Sequence, residues 1–576
     1  MPIIAGQNVK WQVNMNFSSS RAETDGWVSR QLRSTVSSRY AQVMSSTNEV
    51  PLSSEVTNTV SDPASDRLTD ALTEAEVTGD VATQEHHDVD PQRWKALFVI
   101  AMAQLMVVLD ASIVNLALPK AKEDLGISDA NQQWMVTAYT LTFGGFLLLG
   151  GRIADTIGRK RAFIIGLLGF AGASALGGLA PSAGWLFGAR ALQGAFAALL
   201  APAALSLITV TFHEAKERAR AFGVYGAISG GGAAIGLLLG GFLTQYLSWR
   251  WCLLVNTPIA ILAVILAIPF VRESKASGSQ KYDVAGAITA TTGLVSLVYA
   301  FTRAAPKGLK DTAHWTDPWT LFFFALSAAM LIAFFVLETR VSHPLVPMRI
   351  LLNRNRGAAY IISLIVGIGL FAMFLFLGLY LQVVQGYSPV KAGFAFLPFS
   401  LGIIAGAGVA SQLLPKVGPK PLMVPGLILG ALGLFWLSRL EVGASYAVHI
   451  LPAMILISVG MAFNFIPVSS VALHGIGRQD AGVASALLNT SQQVGGAVGT
   501  ALLNTVAVAA STAFLADNAA NLGPLAVPTA LTHGYTRSFF VGGCMLLIAA
   551  VVTAFMITIG KDAVKEEDDA PVAHIG

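Results

Sequence analysis

The sequence predicts an all-α polytopic membrane protein with fourteen transmembrane helices: two six-helix halves plus two inserted helices. Three observations predict it. The chain of 576 residues is 54% hydrophobic and 12% charged, where a soluble domain carries about a quarter charged residues. Its charges gather in short clusters between apolar runs of roughly 20 residues, enough to cross a ~30 Å hydrocarbon layer at 1.5 Å per residue. The runs also lack the alternation of barrel strands, the other structure that can satisfy its backbone in lipid.

Residues 1–92 are rich in Ser, Thr, Asp and Glu, with no sustained apolar period and no basic-then-apolar signal sequence. A disordered extension is expected there. Spans follow at about 96–118, 133–151, 162–180, 186–211, 221–244, 251–271, 284–302, 319–337, 358–383, 392–413, 421–438, 446–471, 481–510 and 537–559. The first six make an N-terminal half, 93–271. The next two lie in a linker, 272–340. The last six make a C-terminal half, 341–560, followed by an acidic tail, 561–576.

Charge sets the orientation. With residue 95 in the cytoplasm, the cytoplasmic loops hold about twenty Lys and Arg and the external loops about nine, the expected bias. The strongest contributors are Arg152 to Arg161 and the run Arg340, Arg349, Arg354, Arg356. Arg303, Lys307 and Lys310 run against the rule, in the loop where a miscounted pair of spans would show. Both termini come out cytoplasmic, in a multi-pass protein of the plasma (cytoplasmic) membrane.

An internal echo supports the two halves. Asp155-Thr-Ile-Gly158-Arg159-Lys160 resembles Pro415-Lys-Val-Gly418-Pro419-Lys420. Gly194 with Pro202 resembles Gly460 with Pro467, and His213 with Gly223 resembles His474 with Gly482. The offset stays near 260 residues, as in parallel halves about an axis normal to the membrane.

Several functions are disfavoured. The net charge of +4 serves topology and makes no nucleic-acid patch. Cys252 and Cys544 both fall in apolar runs, and no Cys/His cluster has metal-ligand spacing. Gly-x-Ser-x-Gly, His-Glu-x-x-His and the P-loop are missing from the sequence. A secondary active transporter is expected, not an enzyme. It needs no cofactor beyond the proton motive force.

Asp110 stands deep in the first span, in Leu109-Asp110-Ala-Ser-Ile-Val-Asn115-Leu-Ala-Leu-Pro119. An ionised carboxylate is costly there, and a group that takes up a proton from one side can release it to the other. Arg190, in the fourth span, is its expected partner. Gly232, Gly236, Gly240 and Gly241 line the fifth span, and Gly495-x-x-x-Gly499 lies in the thirteenth; such faces let another helix approach closely. A pocket between the halves would draw on Trp134, Tyr139, Phe143, Phe371, Phe374, Phe376, Tyr380, Gln382, Phe394, Phe396, Asn464, Asn489 and Gln493: aromatics with a few polar groups.

Gly151-Arg-Ile-Ala-Asp155-Thr-Ile-Gly158-Arg159-Lys160-Arg161 resembles the loop signature of the major facilitator superfamily. Leu109–Pro119 resembles the first-helix motif of its fourteen-span drug:proton antiporters, the EmrB/QacA type. Arg190-Ala-Leu-Gln193-Gly194, Gly236-Leu237-Leu-Leu-Gly240-Gly241, Ser248-Trp249-Arg250-Trp251 with Asn256-x-Pro258, and Ala481-Gly482-Val-Ala-Ser485-Ala-Leu-Leu-Asn489 are similar to further motifs of that family. The likeness covers about Arg93 to 560. Two departures stand out: Leu237 takes the place of a usual Pro, and Thr156 that of a common Arg.

The resemblance implies a major facilitator fold and a proton-coupled antiporter that exports amphipathic small molecules such as drugs, antibiotics or dyes. A solute symporter, or an exporter of one endogenous metabolite, is the alternative on the same fold. Asp110 and Arg190 would couple the proton. Gly151, Asp155, Gly158, Arg159 and Lys160 would form a conformational latch, with Asp155 facing the start of the thirteenth span and Arg159 reaching Asp155 or Glu217. The expected partners are substrate, protons and the bilayer, without nucleic acid, and the protein is expected to be a monomer. The two inserted spans are expected outside the twelve-helix core, without a substrate ligand.

Overall fold

The computed structural model describes residues 91–212, 214–275, 283–306, 313–341, 344–476 and 481–560. The expected N-terminal extension falls outside the described residues up to residue 90, as does the acidic tail.

A long helix grows from each apolar run. The N-terminal half holds α1 (Arg93–Leu125), α2 (Trp134–Ile157), α3 (Arg159–Gly178), α4 (Ala183–Thr211), α5 (Ala215–Tyr246) and α6 (Asn256–Phe270). The inserted pair is α7 (Val284–Ala304) and α8 (Pro318–Arg340). The C-terminal half holds α9 (Arg354–Leu379), α10 (Leu397–Val417), α11 (Pro419–Leu437), α12 (Leu451–Leu473), α13 (Ala481–Leu522) and α14 (Ala526–Met556). Among the described residues, thirteen helices are long and apolar enough to cross a membrane, and α5 adds the shorter apolar stretch Gly232–Tyr246. Leu168, Leu179, Phe242, Ile265, Ile332 and Phe555 are among the large apolar side chains left exposed, as expected of a lipid-facing surface.

Local chemistry places the ends. Asp283, Asp317 and Asn353 cap α7, α8 and α9 by accepting from Gly286, Thr320 and Arg356 N–H. Asp317 also takes Arg303 Nη2 at 3.3 Å. That pair accounts for one basic residue of the exceptional loop, which joins two real helices.

The halves repeat one packing plan. In the first, α2 and α3 pack on α4, α1 on α5, and α6 on α3 and α1. In the second, α10 and α11 pack on α12, α9 on α13, and α14 on α11 and α9. The echo read from the sequence is visible in the backbone: Gly158 and Gly418 precede α3 and α11 with φ of 110° and 82°. Only glycine adopts that region without strain.

The halves meet through α2 against α13 and through α5 against the short helix Pro389–Ala395 and α10. Several of these contacts lie away from the Gly151–Arg161 loop. Gln132 Nε2 donates to Asn504 Oδ1 at 3.2 Å, Asn504 Nδ2 donates to Asp129 O at 3.1 Å, and Val390 N donates to Gln245 Oε1 at 3.2 Å. The loop side of the bundle is called here the basic-loop end, and this the opposite end.

The inserted pair packs against the outside of the two halves in a specific place. Its second helix, α8, is the least buried of the spans. Its first, α7, lies against both α2 and α13. Gln133 Nε2 donates to Thr302 Oγ1 at 2.7 Å, and Thr505 Oγ1 donates to Phe301 O at 2.7 Å. Thr291 packs against Gly145 of α2. The pair therefore covers a seam between the halves.

Candidate functional site

Asp110 sits in α1 with none of its surface exposed. Arg190 of α4 donates from Nη1 to Asp110 Oδ2 at 2.6 Å. Gln193, one turn further along α4, donates from Nε2 to Oδ1 at 2.7 Å, and Asn256, the first residue of α6, donates from Nδ2 to the same oxygen at 2.8 Å. Ser174 of α3 ties the two amides together, accepting from Gln193 at 3.1 Å and Asn256 at 3.0 Å and donating to Leu253 O at 2.8 Å.

Arg190 is held on three more sides. Its Nη1 also donates to Gln193 Oε1 at 2.6 Å, its Nε donates to Met135 O at 2.9 Å, and its guanidinium lies 4.5 Å over the Tyr139 ring. Arg190 Nη2, Asn256 Oδ1 and Tyr139 Oη make no hydrogen bond within the protein. A buried ion pair compensates its desolvation only with good geometry and further hydrogen bonds. Here both are present. Arg190 has Gln193 Oε1 and Met135 O as hydrogen-bond acceptors besides the Asp110 carboxylate, which is its counter-charge.

The glycine face of α5 packs directly on the Asp110 helix. A Cβ on Gly232 would meet Val108 at 3.0 Å, one on Gly236 would collide with Ser112 Oγ, and one on Gly240 would meet Ile113 O at 3.0 Å. The next glycine turns elsewhere: a Cβ on Gly241 would stand 2.6 Å from Pro389 O. One helix thus touches the Asp110 helix along one face and the C-terminal half along another. At the basic-loop end, Arg93 of α1 grips Glu217 of α5 through two hydrogen bonds of 2.8 Å.

In the Gly151–Arg161 loop, Arg159 reaches Asp155, with Nε 3.2 Å and Nη2 3.1 Å from Oδ1. Glu217 is engaged by Arg93 instead. Glu273, after α6, accepts from the N–H groups of Lys160 at 3.0 Å and Arg161 at 3.3 Å, and Lys160 Nζ donates to Ile268 O at 2.6 Å. A carboxylate at the first turn of α3 is favoured by the free N–H groups there. Gly151 packs against Pro202 of α4.

The thirteen pocket candidates do not gather in one place. Tyr139 and Phe143 are buried in the N-terminal core, their rings 5.7 Å apart, with Tyr139 against Arg190. Trp134 joins the α2–α7–α13 seam with Leu141 and Val298. Phe371 packs on Gly496, Phe374 on Phe396 and Phe399, and Phe376 on Tyr535. Tyr380 is buried, donating to Glu441 O at 2.6 Å. Gln382 donates to Gly378 O at 3.4 Å. Phe394 is 57% exposed and so stands outside any enclosed pocket. Asn489 is half-buried and Gln493 buried, the latter against Gly144 of α2. Asn464 is fully buried in α12, and neither its Oδ1 nor its Nδ2 finds a partner. That amide stands out, because buried polar atoms are nearly always bonded.

Two members of the Asp110 network, Ser174 and Asn256, escaped the sequence reading as site residues. Asn256 had a signal, since it belongs to the quoted Asn256-x-Pro258 segment. Ser174 had none: it is one polar residue in a small-residue helix. A cavity of about 190 Å³ at the opposite end, lined by Asp129, Gln132, Asn504, Ser511, Leu531 and Tyr535 among others, includes none of the pocket candidates.

Comparison with known proteins agrees with this architecture. Residues 100–500 match the sequence profile of the Major Facilitator Superfamily. The chain is 47% identical over 486 residues to the puromycin resistance protein of Streptomyces alboniger, covering 84% of this chain and 95% of that protein. It is 38% identical over 432 residues to the cephamycin export protein of Amycolatopsis lactamdurans, covering 74% and 88%. Among solved structures, a POT-family transporter superposes with a TM-score of 0.57 at 14% identity, covering 80% of this chain and 97% of that one; at that identity the likeness concerns the fold. With twelve of the described helices in two matched halves, and with this match, the chain is a multi-pass membrane protein that belongs to the Major Facilitator Superfamily.

Proposed function

We propose that the protein exports amphipathic small molecules, antibiotics among them, across the cytoplasmic membrane in exchange for protons. The observation that carries this reading is the buried Asp110–Arg190 pair, on a helix whose packing face is the glycine stripe of α5. Export is supported by two relatives, one named for puromycin resistance and the other for cephamycin export.

The basic-loop end faces the cytoplasm in this reading, and both termini lie there. A proton arriving at Asp110 removes its charge and loosens Gln193, Asn256 and Arg190, which fall back on one another and on Met135 O. The change at α1 passes to α5 through Gly232, Gly236 and Gly240. It reaches the C-terminal half at Gly241. Alternating access follows as a rocking of one half against the other. The latch around Asp155, Arg159 and Glu273 holds the cytoplasmic ends of α2, α3 and α6 in one of the two states. A membrane potential of 100 mV gives about 2.3 kcal/mol per charge moved, enough for a more than tenfold gradient before any pH term.

The test is counterflow in sealed liposomes holding the purified protein and a pH-sensitive dye. Wild-type protein should move protons when substrate is added. The Asp110→Asn variant, inserted in equal amount, should not. Proton movement that survives the substitution would falsify the coupling role. A narrower exporter of one compound is the second reading, favoured by relatives that are each named for a single antibiotic. Growth of expressing cells on a panel of unrelated antibiotics and dyes separates the two.

A further inference from the structure

The inserted pair carries two buried carboxylates that the Asp110 network leaves unused. Asp283, the N-cap of α7, is 4% exposed, and Glu338, in the last turn of α8, is 3% exposed. Each has one satisfied oxygen. Asp283 Oδ1 accepts from Gly286 N–H at 2.7 Å, and Glu338 Oε2 accepts from Val346 N–H at 2.9 Å. The other oxygens, Asp283 Oδ2 and Glu338 Oε1, have no hydrogen-bond partner.

Those two oxygens both face Gly286. A Cβ on Gly286 would stand 2.5 Å from Asp283 Oδ2 and 3.0 Å from Glu338 Oε1. Glycine leaves the space between them open. Two ionised carboxylates facing one glycine, both out of water, repel, and such pairs can hold a proton between them. A single proton turns one acid into a donor and gives both unpartnered oxygens a partner at once. Among the described residues, the charges acting on Glu338 are those of Asp283 and of Arg152 in α2. In the sequence Lys281, Tyr282 and His343 flank the two acids. Arg152 also reaches the same segment, donating from Nη2 to Pro344 O at 3.5 Å.

We propose that Asp283 and Glu338 form a second proton-binding site, holding one proton between Oδ2 and Oε1, which clamps the ends of the α7–α8 hairpin beside the latch loop. Loss of that proton to water leaves two facing carboxylates. Their repulsion parts the α7 cap from the last turn of α8, and the freed Glu338 charge turns toward Arg152. The inserted hairpin thereby becomes pH-sensitive at the basic-loop end. The site stands whether or not Asp110 couples transport.

The test uses the full chain in lipid nanodiscs and infrared difference spectra across an alkaline pH step, in H2O and D2O. The background is Asp110→Asn, which removes any signal from that acid. A carboxylic-acid C=O band that shifts in D2O and is lost on the step is expected. Glu338→Gln mimics the protonated partner and should keep the fold while abolishing the band; Asp283→Asn should abolish it as well. His343→Ala should leave it intact. Proton release counted with a dye should fall by one per protein in either acid variant. A band unchanged by both acid substitutions would overturn the proposal. So would loss of the wild-type band on adding magnesium or calcium, which would make the pair a metal-cation site.

Discussion

Arg190 Nη1 and Asp110 Oδ2 lie 2.6 Å apart, with 1% and 0% of the side chains exposed. Removing either member leaves the other buried and charged, so each single substitution should destabilise the protein. Asp110→Asn should destabilise the protein by about 3–5 kcal/mol, the usual cost of breaking a buried pair. Arg190→Gln should do the same. The double variant should recover much of the thermal stability, because neither charge is stranded, and should remain inactive in proton-coupled transport. Thermal unfolding in detergent, run beside vesicle transport, reads both. A double variant no more stable than the singles would show that the pair is not the unit.

Gly236→Ala should lower transport by forcing α5 away from α1. Its new Cβ meets Ser112 Oγ, and overpacking of this kind costs about 1–3 kcal/mol. Ser112→Ala in the same chain removes the colliding oxygen. It should restore part of the activity, although Leu109 O remains 3.1 Å from that Cβ. Initial rates of dye efflux for the two singles and the double check this.

Two glycines of α3 and its entry separate strain from packing. Gly158 has φ of 110°, and a Cβ there would lie 2.6 Å from Glu273 Oε1. Gly158→Ala should cost roughly 1–3 kcal/mol in strain alone and should raise labelling of a cysteine placed between the helices at the basic-loop end. Gly172 has nothing within 4 Å of a new Cβ. Gly172→Ala should be neutral or stabilising by up to ~1 kcal/mol.

The Arg93–Glu217 pair should give the basic-loop end an acid-sensitive contact. Hydrogen bonding from Arg93 holds the Glu217 carboxyl below its ordinary value of 4.5, against the smaller opposing effect of burial. A depressed value stabilises the fold above the ordinary one, and that contribution is lost as pH falls through the shifted value. Glu217→Gln should therefore lower thermal stability slightly at neutral pH. The difference from wild type should shrink as pH falls below the ordinary value of 4.5 and vanish once the depressed value is passed. A difference that persists in acid would mean that the contact does not depend on the carboxylate's charge.

Much of this protein was legible in its sequence, for physical reasons. Apolar runs of bilayer length dictate helices, because backbone groups in lipid have no other partner. The fourteen runs became α1 to α14. The near-constant offset became one packing plan used twice, down to the positive φ at Gly158 and Gly418. Arg190 was named as the partner of Asp110 because an intramembrane charge needs one.

Tertiary structure decided the rest. Asn256 reaches Asp110, and Ser174 braces Gln193 and Asn256 behind it, from helices that the sequence does not order around it. Aromatic residues were the weakest guide. In a membrane protein the core and the lipid face are both apolar, so Tyr139 in the core and Phe394 on the surface look alike until the helices are rotated into place. The same ambiguity hid α7 in the seam between the halves. It also hid Asp283 and Glu338, 55 positions apart by their numbers, whose meeting depends on how two helix ends and Gly286 come together. Sequence sets which segments enter the membrane, since that depends on the composition of each segment alone. Which side chains meet depends on helix rotation and pairing, and these are fixed only by the packing of the whole bundle.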